Sequence, residues 1–536
     1  MKDYNATGAA RPDGNLHMPP IVKNAPSDKT WGAFLRDRSI WSGVLLFLLI
    51  AEFGIFKLCY PYPDFFSDSY SYIIAASEHL NANIWPIGYS KFLAVFHWFT
   101  HSAVALNFFQ FLFLELAAMY FGHTIEYFFH TGDKTRIFMN IFLYFNPLFL
   151  YLANYVTTDA LFVGLSIIWA TQLIWVIKKP SPYQFIIISV VFFIAFTFRY
   201  NAMFYPVITA LAYFISRQRA WVKAVGIVTG PLLIIPFILF TSDAAKKMTG
   251  TAQFPPILGG WQWANNALYM RGFIEEDSAN FPTAETRELD GIASRFFAQP
   301  SRPQDGLASY VANFFIRQPE APLKKYLHKH YPNIETDVDE VVAWGKVAPV
   351  FQQYGLFLIK RHPLAFLRYY MLVNYKNYLF PPLEKLEIYN VGQDKVWPIA
   401  AYWFDFPSLK ISVISKSLQG IILLLFPTLF CVLNIYYGWS LFTMFRRKEW
   451  QNTSRTFKGV MGIVALFLLL NCCFSVFANI IVIRYQVFPM IVFLVFSMLL
   501  TDQLELKKAY MGNPAPGKPD KKGGYGGAHE LSPNIL

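Results

Sequence analysis

The sequence predicts an all-α polytopic membrane protein with about ten transmembrane helices, and three observations support this prediction. Hydrophobic residues make up 55% of the 536 residues and charged residues only 15%, whereas ordinary soluble domains carry about 25% charged residues. The apolar residues fall in long blocks, several of them near the roughly 20 residues that a helix needs to cross a bilayer. Basic residues cluster in alternate loops between these blocks, as the positive-inside rule predicts.

The N-terminal part predicts a basic cytoplasmic tail (residues 1–38) and a seven-span transmembrane module (39–241). The seven spans cover about residues 40–58, 103–125, 137–152, 160–177, 185–198, 202–215 and 222–240. Asn146-Pro147 predicts a kink in the third span. Between the first two spans lies an outer loop, residues 60–102, with juxtamembrane helices. Because a polar tail precedes the first span, that span is interpreted as a signal anchor that is not cleaved.

Residues 242–409 are mixed and polar, and they predict an extracytoplasmic, mostly helical domain. Helical patterns cover residues 283–297, 306–316, 338–351 and 363–379, the last as a helix lying on the membrane surface. Three C-terminal spans follow within residues 410–503, at about 411–441, 460–483 and 487–500. The tail, residues 504–536, is rich in Gly, Pro and Lys and is predicted to be disordered and cytoplasmic.

Ten spans with a cytoplasmic start predict that both termini face the cytoplasm. The predicted inner loops contain clustered basic residues: Lys134, Arg136, Lys178, Lys179, Arg217, Arg219, Lys223, Arg446, Arg447, Lys448, Arg455 and Lys458. The short outer turns contain few apart from Arg199 and Arg484. This distribution accounts for the net charge of +12 without a nucleic-acid partner, and it predicts a multi-pass protein of the cytoplasmic (inner) membrane.

Metal and redox functions have little support in the sequence. Cys431, Cys472 and Cys473 fall in apolar spans, and no CxxC or Cys/His spacing occurs. His97 and His101 are spaced i, i+4 on a predicted interfacial or re-entrant helix. They are interpreted as polar anchors, with a metal pair as the alternative.

The outer loop contains the first candidate site residue. Asp68 begins a helical pattern at the edge of the bilayer, so it is either a helix N-cap or a catalytic base. Asp64 is interpreted as part of an acidic interfacial loop. In the first span, Glu52 is expected to face the protein interior and Lys57 to snorkel outward.

Four charged residues from remote parts of the chain are predicted to meet at one membrane depth: Asp68, Asp159, Arg199 and Arg484. The topological alternative is that each is simply a polar span end. Together they suit a membrane-dissolved substrate with an anionic head, because guanidinium groups match phosphate and a carboxylate can accept a hydroxyl proton. A polyprenyl phosphate leaving group needs no general acid, so lipid-linked glycosyl transfer fits.

Several stretches together resemble a known family. They are Asp68-Ser69-Tyr70-Ser71-Tyr72, Trp85-Pro86-Ile87-Gly88-Tyr89-Ser90-Lys91-Phe92-Leu93, Thr158-Asp159-Ala160-Leu161-Phe162, Phe198-Arg199-Tyr200, Gly260-Trp261-Gln262-Trp263-Ala264-Asn265-Asn266 and Arg484-Tyr485-Gln486-Val487-Phe488-Pro489. With them the chain resembles the GT-C superfamily of multi-spanning glycosyltransferases, particularly bacterial relatives of protein mannosyltransferases and aminoarabinose transferases. Ser90 and Tyr200 replace prolines of the family pattern, and Asp159 replaces a Glu. The resemblance covers the first seven spans well, the last span moderately and the outer domain poorly.

The resemblance implies roles for individual residues. Asp68 would act as catalytic base or help to hold a metal, and Asp159 would position the acceptor or a metal. Arg199, Arg484 and the adjoining Tyr485 would bind the lipid phosphate. Some relatives use a divalent cation and others do not, so the cofactor is open.

The predicted function is therefore an inverting glycosyltransferase on the outer face of the membrane. It would transfer a sugar from a polyprenyl phosphate carrier to a lipid, glycan or protein acceptor. The alternatives are a transporter or flippase for a lipid-linked sugar, and a membrane-anchored binding protein. Other groups are given modest roles: Glu384 and Glu387 as loop polar groups, His328 and His330 as a solvated face, Trp261 and Trp263 as an aromatic belt or sugar platforms, and Asn265-Asn266 as a helix cap.

Overall fold

The computed structural model of the chain describes residues 29–299 and 313–512, with side chains described as far as residue 505. The predictions for residues 1–28, for most of the helix at 306–316 and for the tail beyond residue 512 lie outside these ranges. Within them the chain is helical and forms no strand, in agreement with the predicted all-α class.

The N-terminal half is a series of apolar helices joined by short turns. They are α1 (Trp31–Asp37), α2 (Ser39–Cys59), α3 (Ser67–Ser77), α4 (Gly88–Phe99), α5 (Ala103–Phe128), α6 (Asp133–Tyr144), α7 (Pro147–Asn154), α8 (Asp159–Lys178), α9 (Gln184–Phe198), α10 (Tyr205–Ile215) and α11 (Ala220–Thr249). A 3-10 turn, Tyr200–Phe204, joins α9 to α10. The kink predicted at Asn146-Pro147 separates α6 from α7, where the Asn146 side chain accepts a hydrogen bond from the Leu148 amide.

The second half contains shorter polar helices and then three long apolar ones. They are α12 (Leu258–Arg271), α13 (Ala284–Phe297), α14 (Phe314–Arg317), α15 (Pro322–His330), α16 (Asp337–Arg361), α17 (Pro363–Phe366), α18 (Leu372–Leu379), α19 (Pro398–Trp403), α20 (Leu418–Leu423), α21 (Phe426–Arg446), α22 (Glu449–Asn452), α23 (Arg455–Ala478) and α24 (Val487–Gly512). A π-helical turn, Leu367–Met371, joins α17 to α18.

Eight spans in the described residues are long and apolar enough to cross a membrane. They are Ser39–Cys59, Ala103–Phe128, Asp133–Asn154, Asp159–Lys178, Ala220–Thr249, Leu418–Arg446, Arg455–Ala478 and Val487–Glu505. The fifth and sixth predicted spans form apolar helices, but Gln184–Phe198 and Tyr200–Ile215 are shorter than a full crossing requires. The protein is thus a multi-pass α-helical membrane protein, and the count of ten stays a prediction.

Several predicted boundaries differ from the structure. Residues 31–37 form a helix, which the basic-tail interpretation did not anticipate, and its Trp31 makes edge-to-face contacts with Tyr127 and Trp175. The seventh span continues to Thr249, where Gly250 ends the helix with φ of +85°. The ninth ends at Ala478, five residues early. The eighth begins at Leu418, after non-helical residues whose backbone groups form hydrogen bonds with residues 389–396 and with Cys59.

Two hydrophobic cores organise the molecule. One joins the apolar helices and includes residues 378–411; the other is built on residues 257–370, together with Ile480 and Val482 from the turn before α24. We call the segment that forms the second core, residues 257–370, the polar helical region. Within it the backbones of α12 and α16 approach closely at Gly260, where a Cβ would lie 1.9 Å from the Ala348 carbonyl oxygen, so that only glycine fits. This region lies over the end of the bundle where the site forms.

Candidate functional site

The centre of the candidate site is Arg484, whose guanidinium is 3% exposed. Its Nη1 donates to Asp159 Oδ2 at 3.2 Å, and its Nη2 lies 3.5 Å from Asp68 Oδ2. Its Nε lies 3.9 Å from Glu384 Oε2. One cation therefore connects carboxylates from three remote parts of the chain.

The bundle positions these groups at helix ends. Asp159 is the first residue of α8, Arg199 directly follows α9, and Arg484 lies in the 3-10 turn before α24. Asp68 is the second residue of α3, so it is not the N-cap, a position that Phe66 occupies. The Asp68 side chain accepts from Ser67 Oγ at 3.3 Å and otherwise faces Arg484. Antiparallel packing brings these termini to one end of the bundle.

Arg199 and Tyr485 complete the group of residues named from the sequence. Arg199 forms an ion pair with Asp159, and its guanidinium lies 4.5 Å from the centre of the Tyr485 ring. The Tyr485 hydroxyl accepts from Arg484 Nη2 at 3.0 Å. All five predicted residues, Asp68, Asp159, Arg199, Arg484 and Tyr485, thus lie in one contact network.

Three charged residues of this network were missed by sequence reasoning. The Glu384 side chain is 7% exposed and pairs with Arg317 as well as facing Arg484, and Lys385 Nζ lies 3.7 Å from it. Burial alone would raise the pKa of Glu384, but Arg317, Arg484 and Lys385 outweigh it and lower the pKa to about 2. The sequence analysis interpreted Glu384 as a loop polar group. Its backbone has a φ of +53°, a structural feature that cannot be read from the sequence.

The network carries an excess of positive charge. Among the described residues, Asp68, Asp159 and Glu384 face the cations Arg199, Arg317, Lys385 and Arg484. One positive charge is therefore not balanced within the network. Arg484 Nε also has no hydrogen-bond partner among the described atoms. Such a site favours an anion with several oxygen acceptors.

Two cavities share Asp68 in their walls. The arginine-side cavity, about 130 Å³, is lined by Asp68, Asp159, Arg199, Arg484, Tyr485 and neighbouring residues. The tryptophan-side cavity, about 270 Å³, lies against the polar helical region and is lined by Asp68, Trp85, Trp344, Trp397 and neighbouring residues. Trp85 and Leu258 also line both. Asp68 is the carboxylate that lines both cavities, so a molecule bound in either of them would contact it.

An apolar pocket adjoins the charged network between the membrane helices. A small pocket of about 20 Å³ contains Asp159, Arg199 and Arg484 and ends at Phe467 and Phe488. The same two phenylalanines begin an apolar pocket of about 30 Å³. Its other lining residues are Trp169, Ala170, Leu173, Ile174, Ile208, Ile463, Val464, Val492 and Phe496. The charged site and this apolar pocket therefore share the two phenylalanines as a common wall.

The donor set does not suit a divalent cation at the network centre. The Arg484 guanidinium lies between the carboxylates of Asp68 and Asp159, and it occupies the position that a metal ion bound by both acids would need. In residues 29–299 and 313–512, no group of three His, Cys, Asp or Glu side chains has metal-binding proximity. His97 stacks on His101 and Trp403, and His101 pairs with Asp405 at 2.7 Å.

Asp64, four residues before Asp68, occupies a different environment. It is 3% exposed, and its side chain accepts from the Asn390 amide at 2.8 Å and from Gln419 Nε2 at 3.4 Å. Burial raises the pKa of Asp64 to about 7. The interfacial-loop interpretation is therefore wrong, because Asp64 joins the first loop to residues near 390 and 419 in the interior.

The remaining candidates take structural positions. Trp261 is fully buried and stacks on Trp344 at 4.0 Å, so it is neither a belt residue nor a sugar platform. Asn265 and Asn266 lie inside α12 rather than at its cap. His330 contacts Glu288 at the surface. Lys57 turns inward to Asn107 and Asn154 instead of snorkelling, because those amide oxygens accept its hydrogen bonds.

The fold and the site define a class: a multi-pass α-helical membrane protein with a buried, net cationic charge network between two cavities. No family model, curated protein or solved structure matches the chain.

Proposed function

We propose that the protein is an inverting glycosyltransferase that uses a polyprenyl-phosphate-linked sugar on the outer face of the cytoplasmic membrane. The observation that carries this proposal is the Arg484 network, which joins Asp68, Asp159 and Glu384 beside a second arginine. It supports a reaction that needs a carboxylate base and a binding site for an anion in adjacent positions. The resemblance to GT-C enzymes supports the same conclusion.

The donor would place its phosphate at Arg199 and Arg484. Their guanidinium groups can each give two parallel hydrogen bonds to phosphate oxygens, and the network carries an uncompensated positive charge. The apolar pocket beyond Phe467 and Phe488 lies where the first part of the isoprenoid chain would begin. A water-soluble sugar nucleotide would have no use for an apolar pocket there.

The transfer step would take place at Asp68. The acceptor hydroxyl oxygen forms a bond to the anomeric carbon while the bond from that carbon to the phosphate oxygen breaks. The hydroxyl proton passes to Asp68, and the bonding electrons leave with the polyprenyl phosphate, whose added negative charge is stabilised by the two arginines. A single displacement inverts the configuration at the anomeric carbon. Asp159, which contacts both arginines, positions them.

The proposed sidedness follows the distribution of basic residues. With the N-terminus in the cytoplasm, the network and the polar helical region lie outside, where lipid-linked sugars are presented. The ten-span arrangement, with Gln184–Phe198 and Tyr200–Ile215 as shorter crossings, belongs to this proposal.

The test compares wild type with Asp68→Asn in detergent, using radiolabelled polyprenyl-phosphate sugars as donors and membrane extract as acceptor. We expect transfer to fall by about 10²–10⁴-fold, the usual contribution of a general base, with donor binding retained. The matched control is Asp64→Asn, the same chemical change four residues upstream at a carboxylate that lines neither cavity. Its transfer rate should stay near that of wild type.

Other outcomes would redirect the proposal. Transfer that is insensitive to Asp68→Asn would keep the enzyme class and remove Asp68 as its base. Absence of transfer from every donor, together with movement of lipid-linked sugar across reconstituted vesicles, would favour a flippase.

A further inference from the structure

The residues that line the tryptophan-side cavity narrow the chemical class of the acceptor. We propose that it binds a neutral, polyhydroxylated carbohydrate, and that Trp397 and Trp85 recognise the sugar rings. This inference rests on the proposed function, because the cavity reaches the same Asp68 from the side away from the arginine pair.

Trp397 is a rigid platform, and among the described residues one face of its indole has no aromatic partner. Its indole stacks on Tyr70 with ring centres 4.4 Å apart and planes only 1° from parallel. The Tyr70 hydroxyl lies 3.4 Å from the Trp397 amide, which fixes the backbone as well. Trp397 is nevertheless 50% exposed and lines the cavity. A flat apolar surface held in this way suits the C–H face of a sugar ring.

Trp344, by contrast, forms part of the cavity wall and does not present a free ring face. One side of its indole stacks on Trp261 at 4.0 Å. The Lys324 ammonium lies 4.2 Å from its ring centre. Trp344 Nε1 also donates to Glu340 Oε1 at 3.2 Å. Trp85 is only half-buried and lies where the two cavities meet, so it is placed next to the reacting centre.

The charges around the cavity argue against an anionic acceptor. Both cations in its described lining are already paired, Arg317 with Glu384 and Lys324 with Glu340. The two cavities differ, since the described lining of the tryptophan-side cavity has three carboxylates, Asp68, Asp337 and Glu340, against these two cations, whereas the arginine-side cavity has two of each charge. An anionic acceptor, such as a phosphorylated lipid head, would find no available cation in this described lining. Hydroxyl groups can instead use Ser67, Ser71 and the carboxylate of Glu340.

The volume is consistent with a small part of a glycan. At about 270 Å³ the cavity is at the lower limit of ligand pockets, roughly 300 Å³. It accommodates one or two sugar rings with the attacking hydroxyl next to Asp68.

The experiment measures binding to the purified full-length protein by saturation-transfer NMR and titration. The probes are neutral oligosaccharides of two to four hexose units, the same chains carrying phosphate or amino groups, and a Ser/Thr-containing peptide. We expect the neutral chains to bind best. Trp397→Ala should weaken them by about tenfold, and Trp397→Phe should restore part of the affinity.

The controls separate this inference from the proposed function. Trp98→Ala removes an indole that is 77% exposed and lines neither cavity, so it should bind sugars as wild type does. Polyprenyl phosphate should bind wild type and Trp397→Ala equally.

Three results would overturn the inference while polyprenyl phosphate still binds: preference for the charged chains, preference for the peptide, or neutral-sugar affinity that does not respond to Trp397→Ala. Failure of the proposed function would be seen separately, as wild type that binds no polyprenyl phosphate.

Discussion

Two buried carboxylates, Asp64 and Glu384, show what distinguishes the charged network from the rest of the interior. Both are almost inaccessible to solvent, and for both burial is the largest influence on the pKa and acts to raise it. Yet the pKa of Asp64 rises to about 7, whereas that of Glu384 falls to about 2.

The neighbours explain this difference. Asp64 receives hydrogen bonds from an amide nitrogen and a glutamine side chain, while Glu384 faces two guanidinium groups and an ammonium. Neutral donors only partly offset the loss of water, but several cations at short range reverse its effect. Asp64 therefore holds the first loop to the interior through neutral hydrogen bonds, whereas Glu384 belongs to a network of ionised groups.

The largest effect is expected from Arg484→Ala, which removes the cation shared by three carboxylates. Breaking a buried ion network in this way costs about 3–5 kcal/mol. We expect a lower thermal unfolding temperature in detergent and loss of transfer. Arg484→Lys keeps the positive charge but loses the paired N–H donors of the guanidinium. Relative to Arg484→Ala, it should therefore restore stability more than activity. An unchanged unfolding temperature in Arg484→Ala would show that the network is not a stabilising unit.

A smaller loss is expected from Glu384→Gln. Because the folded-state pKa lies below the ordinary value, ionised Glu384 stabilises the fold above about pH 4.5, and this contribution is lost as pH falls towards 2. The shift corresponds to about 3 kcal/mol at pH 7. The difference in unfolding temperature between wild type and variant should therefore shrink on acidification.

A surface carboxylate provides the control for Glu384→Gln. Glu288 pairs with Lys329 at 2.6 Å, but its side chain is 29% exposed. Solvent screening limits such a pair to about 0.5 kcal/mol. If Glu288→Gln lowered the unfolding temperature as much as Glu384→Gln, burial would not be the cause of the difference.

Asp64→Asn should act in the opposite direction. A raised folded-state pKa means that the native state loses stability as pH rises from about 4 to about 7. Asparagine keeps the shape without the ionisation, so at pH 8 the variant should be more stable by roughly 1–2 kcal/mol, with little gain at pH 4. The expected gain in stability is smaller than the free energy of the full pKa shift, because the side-chain amide introduced at position 64 would face the side-chain amide of Gln419. A variant less stable than wild type at pH 8 would mean that the charged carboxylate is required.

Four of the five network residues that the sequence identified, Asp159, Arg199, Arg484 and Tyr485, lie at or next to the end of an apolar block, and Asp68 follows the first such block in the outer loop. Counting spans places such ends at a common depth, so Asp68, Asp159, Arg199 and Arg484 could be grouped without a structure. Glu384 and Arg317 lie in polar stretches with no span to locate them. The sequence separated Asp64 from Asp68 only by the helical pattern that begins at Asp68, and the structure shows that only Asp68 faces an arginine.

Hydropathy and charge along the chain thus determined the all-helical membrane class, the helices and the convergence of their charged ends, because these depend on local composition and on the thickness of a bilayer. Tertiary structure alone decided that the polar helical region supplies Arg317, that Glu384 enters the network, and that Trp397 rather than Trp261 presents a free face. Those contacts join residues far apart in the chain, and the packing that selects them leaves no periodic pattern in the sequence.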